Sequence, residues 1–377
     1  MIVRAEKWVN DGFCLGYAEG RPVFILGAVP GEVAEVELIS EKKGAIHVKA
    51  VKILITEKER ITSDCPVYMK CGGCRFRHIS YSEEKKLKTS LLQKEFLFRG
   101  IADPGETLEI EIHSADSDGY RNNVQLKGDE AFFGFHAISS NRVVEIPASG
   151  CRLLSDELNQ HLHHIRSGKM DFPESGKLRL NFDGTVAEYF RKNSVFEVSG
   201  KTFLCPPDGF FQINRFLTSE WLEEIMQFIP ESTKNIVELF SGCGLISVFA
   251  AERCEKLYGY EAHDLSCRFA EQNAGRNRIR NAQFKRKDLY RKIPAREFAE
   301  SNLWIVNPPR NGLTNDIADI LREKLPERII YSSCNYISLA RDLKNLQNHY
   351  KIIHLSIFDF FPRTPYFETL AVLEREK

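Results

Sequence analysis

The chain has 377 residues, 43% of them apolar and 28% charged, with 52 basic side chains against 52 acidic ones and no net charge. That length exceeds one ordinary domain of about 150 residues and points to two or three; the composition excludes a disordered chain, and the overall charge gives no argument for a nucleic-acid partner. No apolar run reaches the roughly 18 residues that span a bilayer and the start, "MIVRAEKWVN", has no secretory pattern, so a cytoplasmic protein without a membrane partner is expected, its ten cysteines kept as thiols.

Residues 1–56 hold short β-type runs split by turns: "RPVFILGAV", Pro30-Gly31, "EVAEVELIS" and "GAIHVKAVKILI". Alternation of Val33, Val36 and Leu38 with glutamates between predicts a small β-barrel as a first domain. A second domain, 57–200, opens on "CPVYMKCGGCRFRH", with Cys65, Cys71 and Cys74 separated by five and two residues and His78 three residues beyond. Three cysteines around Gly72-Gly73 point to a metal. With His78 they make a zinc set, and with the remote Cys151 they make an iron-sulfur set. The local spacing leaves that choice open.

"SEEKKLKTSLLQKEFLF" follows, with Ser82 as N-cap and Leu87, Leu91, Leu92 and Phe96 at helical spacing, which predicts an amphipathic helix. Residues 105–200 are mixed and strand-rich, with turns at Asp118-Gly119 and Asp183-Gly184.

From about 201 the pattern becomes regular. Apolar strands "KNIVELF", "KLYGYE", "AQFKR", "NLWIV" and "RIIYSS" alternate with helical stretches beginning near Ile246, His263, Ala295, Asp316 and Tyr336. This predicts an α/β domain over 201–377, a doubly wound, mostly parallel sheet that "YKIIHLSIF" and "FETLAVLE" complete to seven strands. The stretch 268–287 carries seven Arg or Lys against one Glu, a phosphate-facing stripe or a solvated helix face.

In such a sheet the ligand sits at the carboxyl ends of the strands, and the first strand ends in "ELFSGCGLIS". Gly242 and Gly244 allow close backbone approach, but Ser247 stands where a dinucleotide loop needs its third glycine. S-adenosylmethionine has no phosphates to cradle. Glu261, ending "YGYE", could accept its ribose hydroxyls, and Asp288 its adenine amino group; alone, each would be an ordinary loop carboxylate. Together they favour a methyl-donor site.

The target atom is set by two later motifs. "NLWIVNPPRNGL" reads as the Asn-Pro-Pro of enzymes that methylate exocyclic amino groups, yet Arg310 stands where those place an aromatic residue. "YSSCN" puts Cys334 at the ligand-facing end of the fifth strand beside Ser332, Ser333 and Asn335, unlike Cys254 and Cys267, which read as small core residues on helices. Carbon 5 of uracil becomes nucleophilic only when a thiolate adds to carbon 6, and a base must afterwards remove the carbon 5 proton; amino methylation needs neither.

The ordered set "FFQIN" (210–214), "ELFSGCG" (238–244), "GYE" (259–261), "NPPRNGL" (307–313), "YSSCN" (331–335) and "DFFPRTPYFE" (359–368), with "PGE" (30–32) and "GYRNN" (119–123), resembles the RNA 5-methyluridine methyltransferases of transfer and ribosomal RNA. The resemblance implies a class I S-adenosylmethionine-dependent fold, an RNA-binding TRAM domain at the N-terminus, and a monomer acting on RNA. It implies Cys334 as nucleophile and Glu368 as general base, with Gln212, Phe240, Gly242, Glu261, Asp288 and Asn307 around the donor. It also implies a four-iron cluster on Cys65, Cys71, Cys74 and Cys151, structural or RNA-positioning, since some relatives lack these cysteines. Two positions depart from the family: Asn307 replaces an aspartate, and Leu245 follows the glycines in place of an asparagine. The rival expectations are an amino methyltransferase using Asn307-Pro308-Pro309 and a non-catalytic RNA-binding scaffold.

Overall fold

The computed structural model describes residues 1–42, 44–103, 105, 108–128, 132–168, 175–188 and 193–376. β1 (Ile2–Arg4), β2 (Lys7–Trp8), β3 (Phe13–Ala18), β4 (Arg21–Leu26), β5 (Val33–Lys42) and β6 (Ala45–Ile55) form one sheet in the order β1-β5-β6-β4-β3-β2. β1 and β2 are halves of one segment, bonded to β5 on one side and to β3 on the other, so the two ends of the sheet meet. Val3, Val23, Ile25, Val36 and Val48 fill its interior.

The alternation expected along β5 is only partly kept. Register shifts between Val33 and Ala34, Glu35 and Val36, and Leu38 and Ser40 turn Ala34 and Val36 inward and leave Leu38 62% exposed. Each bulge adds a residue and so exchanges the faces of a period-two pattern. In the Pro30-Gly31-Glu32 turn, the buried Glu32 carboxylate accepts two bonds from Arg60 (2.5 and 2.7 Å) and one from the Val29 amide (2.8 Å), fastening the sheet to the segment that follows.

The helix after the cysteines is α1 (Tyr81–Arg99), and its cap is Ser80, not Ser82: the Ser80 hydroxyl accepts from the Glu83 amide at 3.2 Å. Its apolar stripe packs on a helix of the C-terminal region, in one core with Leu339, Leu343 and Leu346. Beyond it come β7 (Glu111–His113), β8 (Asn123–Gly128), β9 (Phe133–His136), β10 (Val143–Glu145), α2 (Asp156–Arg166), β11 (Ser175–Leu180) and β12 (Val186–Glu188). Five of these strands make an antiparallel sheet, β10-β9-β8-β11-β12, which α2 covers with Leu158, Leu162 and Ile165. β13 (Ser194–Val198) and β14 (Lys201–Cys205) form a separate hairpin, followed by α3 (Thr218–Gln227).

The regular alternation then appears as read: β15 (Asn235–Leu239), α4 (Leu245–Ala250), β16 (Lys256–Glu261), α5 (Asp264–Arg276), β17 (Ala282–Arg286), β18 (Leu303–Val306), α6 (Asn315–Lys324), β19 (Arg328–Ser333), α7 (Tyr336–Leu346), β20 (Tyr350–Phe358) and β21 (Glu368–Arg375). The sheet order is β17-β16-β15-β18-β19-β21-β20-β7, parallel from β17 to β19 and antiparallel at β21. It has eight strands where seven were expected, because β7 pairs parallel to β20 from more than two hundred residues upstream. The helix expected near Ala295 is a single 3₁₀ turn, Ala295–Glu297. Phe298 returns to extended backbone and packs its ring on Tyr260 and Trp304, which ends the turn. Cys267 is buried in α5 as a core residue, whereas Cys254 follows a 3₁₀ turn at the edge of a core.

Candidate active site

Two carboxyl-end loops of the large sheet build a cleft. Past the end of β15, Phe240 adopts φ +62°, a strained backbone for a bulky aromatic residue. Gly242 follows at φ +54° with nothing within 4 Å of the place a Cβ would take, so this turn of the loop is open to a ligand. Gln212, Phe240, Gly242 and Asn307 line the cleft together with Leu245 and Glu238.

Glu261, at the end of β16, holds the loop in shape. Its Oε2 accepts from the Gly242 amide (3.0 Å) and its Oε1 from the His263 amide (2.9 Å). Asp288, after β17, is exposed, accepts from the Tyr290 amide and pairs with Arg291 at 3.0 Å. Glu238 was not singled out from the sequence because it sits inside an apolar strand. It is fully buried, its carboxyl accepts from Ser247, and burial pushes its pKa up to about 8.

The second loop leaves β18 at Asn307 and is fastened to α7. Asp342 accepts from the Leu313 amide (2.8 Å) and from the Tyr331 hydroxyl (2.7 Å). Gly312, at φ +70°, passes so close that a Cβ there would sit 2.4 Å from the Asp342 carboxylate. Arg310, where an aromatic residue would suit amino methylation, lays its guanidinium 3.8 Å from the Tyr366 ring centre. Its backbone oxygen accepts from Asn335 at 2.9 Å.

One strand further along, the register of β19 on β21 ends with Ser333 opposite Thr369. Cys334 and Glu368 are each the next residue beyond that last pair, 34 apart in sequence, and near enough for the Glu368 charge to act on the thiol. Burial and the Glu368 charge push the Cys334 thiol up to about 12, and Arg310, which hydrogen bonds it, pulls the other way. Burial likewise pushes Glu368 up to about 7, and a hydrogen bond from the Ser332 hydroxyl draws it down. The Trp221 indole in turn donates to Ser332 at 3.1 Å. Ser332 was noted as a polar neighbour of Cys334 but not as a partner of Glu368, and Trp221 had no signal beyond helical periodicity.

The segment leading into Glu368 is held by a buried charge cluster. The Lys88 ammonium bonds Glu84 and Asp359, both at 2.7 Å, and all three are fully buried. Burial pulls Lys88 down, but its two carboxylates together outweigh that and keep it charged. The "GYRNN" and "FFQIN" motifs meet on the same segment: the Tyr120 hydroxyl donates to the Pro362 carbonyl (3.2 Å), and the Asn122 side chain to the Gln212 carbonyl (2.8 Å).

Cys65, Cys71, Cys74 and Cys151 border one cavity of about 350 Å³ together with Arg77 and Arg121. Burial pushes the Cys74 thiol up to about 12, against Arg77. His78 is not there: its ring is bonded to the Tyr68 hydroxyl (2.6 Å) and the Ala28 carbonyl (3.3 Å), so the zinc set with His78 is overturned. Among the described residues no three His, Cys, Asp or Glu side chains come close enough to hold one metal ion.

Of the basic stretch, Arg268 pairs with Asp264 and Lys287 with Glu297. The others lie toward β17, at the edge of the sheet away from Cys334. No described helix is long and apolar enough to cross a membrane.

Residues 186–376 match the family model described as tRNA (uracil-5-)-methyltransferase. An uncharacterized RNA methyltransferase of Leptospira interrogans is 32% identical over 394 residues, covering 100% of this chain and 95% of that protein. The 23S rRNA (uracil(1939)-C(5))-methyltransferase of Aliivibrio fischeri is 26% identical, covering 99% of this chain and 95% of its own. Among solved structures, the Pyrococcus abyssi tRNA (uracil-54, C5)-methyltransferase in complex with S-adenosyl-L-homocysteine superposes with a TM-score of 0.76 at 21% identity, covering 98% of this chain and 99% of that one.

Proposed function

The chain belongs to the tRNA (uracil-5-)-methyltransferase family of S-adenosylmethionine-dependent RNA methyltransferases, and from that premise we propose that it forms 5-methyluridine in ribosomal or transfer RNA with Cys334 as nucleophile and Glu368 as base. The observation that carries this reading is the meeting of Cys334 and Glu368 at the end of the β19–β21 ladder, with Arg310 on the thiol. A cysteine and a base side by side have no use in methylating an amino group.

The donor, when bound in the cleft lined by Gln212, Phe240, Gly242 and Asn307, supplies a methyl group on a sulfonium. Glu261 and Asp288 are assigned to its ribose and adenine ends. Cys334 adds through sulfur to carbon 6 of the uracil, which sends electron density to carbon 5, where the methyl is taken up. Arg310 stabilises the thiolate that burial disfavours. Glu368 then removes the carbon 5 proton, the double bond re-forms, and Cys334 leaves. Glu368 suits the task because a base works best with a pKa close to the working pH. The target base must be unstacked to bring carbon 6 to the thiol.

The sheet of residues 2–55, closed through one segment, supports a TRAM-like β-barrel that contacts RNA, and the central region carries the cysteine cavity. That cavity suits a group wider than one ion. Thiolates on a single tetrahedral ion crowd together on bonds of about 2.3 Å, whereas a four-iron cluster spreads its cysteines over a larger body. Cys65, Cys71, Cys74 and Cys151 would hold it, and Arg77 and Arg121 would offset the thiolate charge. Its contribution would be to tie residues 65–74 to residue 151, with no part in methyl transfer.

The test is trapping with RNA that carries 5-fluorouridine at the target, since fluorine at carbon 5 cannot leave as a proton does. A stable adduct with the wild-type protein and none with Cys334→Ala is expected. Turnover by Cys334→Ala with an N-methylated product would establish the amino methyltransferase. No transfer to any RNA would establish the scaffold. Anaerobically purified protein should be brown; colourless protein holding one zinc overturns the cluster.

A further inference from the structure

Between Trp221 and Glu368 lies a buried hydrogen-bond relay that the reaction outlined above does not yet use. Trp221 and Ser332 are fully buried and Glu368 is 3% exposed. An indole N–H can only donate, so the 3.1 Å bond from Trp221 occupies the Ser332 oxygen as an acceptor. The single proton of that hydroxyl is thereby turned to Glu368 Oε1. A free serine could rotate and accept from a protonated carboxyl as readily as donate to a carboxylate. With Trp221 in place one of its two lone pairs is already taken, which favours donation to the carboxylate.

We infer that Ser332, held by Trp221, is a positioning residue for the general base: it keeps Oε1 of Glu368 as an acceptor and leaves Oε2 as the oxygen that takes the carbon 5 proton. Among the described residues Oε2 carries no hydrogen bond to a side chain or amide. The direction of the relay matters because burial alone favours a protonated and therefore inactive base. Among the described residues the titratable group set against Glu368 is the Cys334 thiol, on which Arg310 acts in turn. Among the described residues α3 presents uncharged Trp221, and β20 presents Phe358, the cross-strand partner of Glu368.

This rests on Glu368 being the base, and the experiment separates the two. Methylation of RNA is followed between about pH 5.5 and 9, alongside the rate of 5-fluorouridine adduct formation, which precedes proton removal. In Ser332→Ala the midpoint of the rising limb of kcat should move up by about one pH unit, as expected when a carboxylate loses one hydrogen bond. Adduct formation should be unchanged, and with ordinary RNA the covalent adduct should build up at low pH. Ser332→Thr should restore the wild-type midpoint, and Trp221→Phe should move it upward by less than Ser332→Ala does. A Ser332→Ala profile that superposes on the wild type, or a loss of adduct formation with no shift in midpoint, overturns the relay. If Ser332→Ala does not fold, Trp221→Phe decides by the same two readings. Glu368→Gln tests the base itself: full turnover there would refute the base reading, whereas blocked turnover with an unshifted Ser332→Ala refutes only the relay.

Discussion

The cleft at the end of the large sheet and the cavity among the four cysteines are built in opposite ways. In the cleft each group stands at one edge of the sheet: the Gly242 loop after β15, Glu261 from β16, Asn307 and Arg310 after β18 and Cys334 after β19 at the carboxyl ends of parallel strands, and Glu368 at the amino end of the antiparallel β21. The sheet starts at β15 and is wound outward in both directions, β16 and β17 to one side and β18 and β19 to the other, so the loops that follow these strands gather along one edge. The cysteine cavity has no such frame. Cys71 is bridged to Ala137, and Cys151 follows a turn more than seventy residues after Cys74. Its convergence depends on how one irregular segment lies against an antiparallel sheet.

Chemistry should therefore be lost at one end without loss of fold, and fold at the other without loss of chemistry. The largest effect is expected of Cys334→Ala, which should lower methyl transfer by about ten-thousandfold or more while leaving the urea midpoint in place. A change in stability with activity retained would reverse the roles of the two regions.

Lys88→Met should come next, because it leaves Glu84 and Asp359 buried without their cation. A loss of about 3–5 kcal/mol in denaturant unfolding is expected, and a neutral result would mean that the charge cluster does not hold the segment leading to Glu368. Cys74→Ser should bleach the protein and lower its melting temperature by about 2–4 °C for each kcal/mol lost, while 5-fluorouridine trapping continues. Bleaching accompanied by loss of trapping would join the two regions into one functional unit.

Gly312→Ala sharpens the comparison within the cleft. Positive φ and the approach to Asp342 should make it about 1–3 kcal/mol less stable, with adduct formation slowed as the Arg310 loop shifts. The smallest change is expected of Asn307→Asp, which restores a negative charge beside the donor. Its donor KM should fall by about fivefold, the worth of an exposed ion pair of about 1 kcal/mol, with kcat unchanged. A rise in KM would show that the amide oxygen of Asn307 is used in a way that a carboxylate cannot copy.

Much of this was legible in the sequence. All five parallel strands were found; β15, β18 and β19 stand out because a strand buried on both faces is apolar almost throughout, whereas β17, exposed at the sheet edge, carries only a weak pattern. Several misses share one cause. Leu38 faces out because bulges shift the register, the helix near Ala295 collapses to a turn so that Phe298 can reach Tyr260, and β7 joins the sheet from far upstream. Local pattern reports the period of a segment and is blind to its distant partner.

The sequence by itself determined the alternation of strands and helices in the catalytic domain, the glycine loop, and which cysteine stands at a strand end, because each follows from residue type and spacing along one chain segment. Only the tertiary structure decided that His78 belongs to Tyr68 and not to the cysteines, and that Arg310, Ser332 and Trp221 close around Cys334 and Glu368. Those are matters of which side chains share a desolvated volume. Burial raises the Cys334 thiol and the Glu368 carboxyl together, and their partners, drawn from elements up to 147 residues apart, set how far.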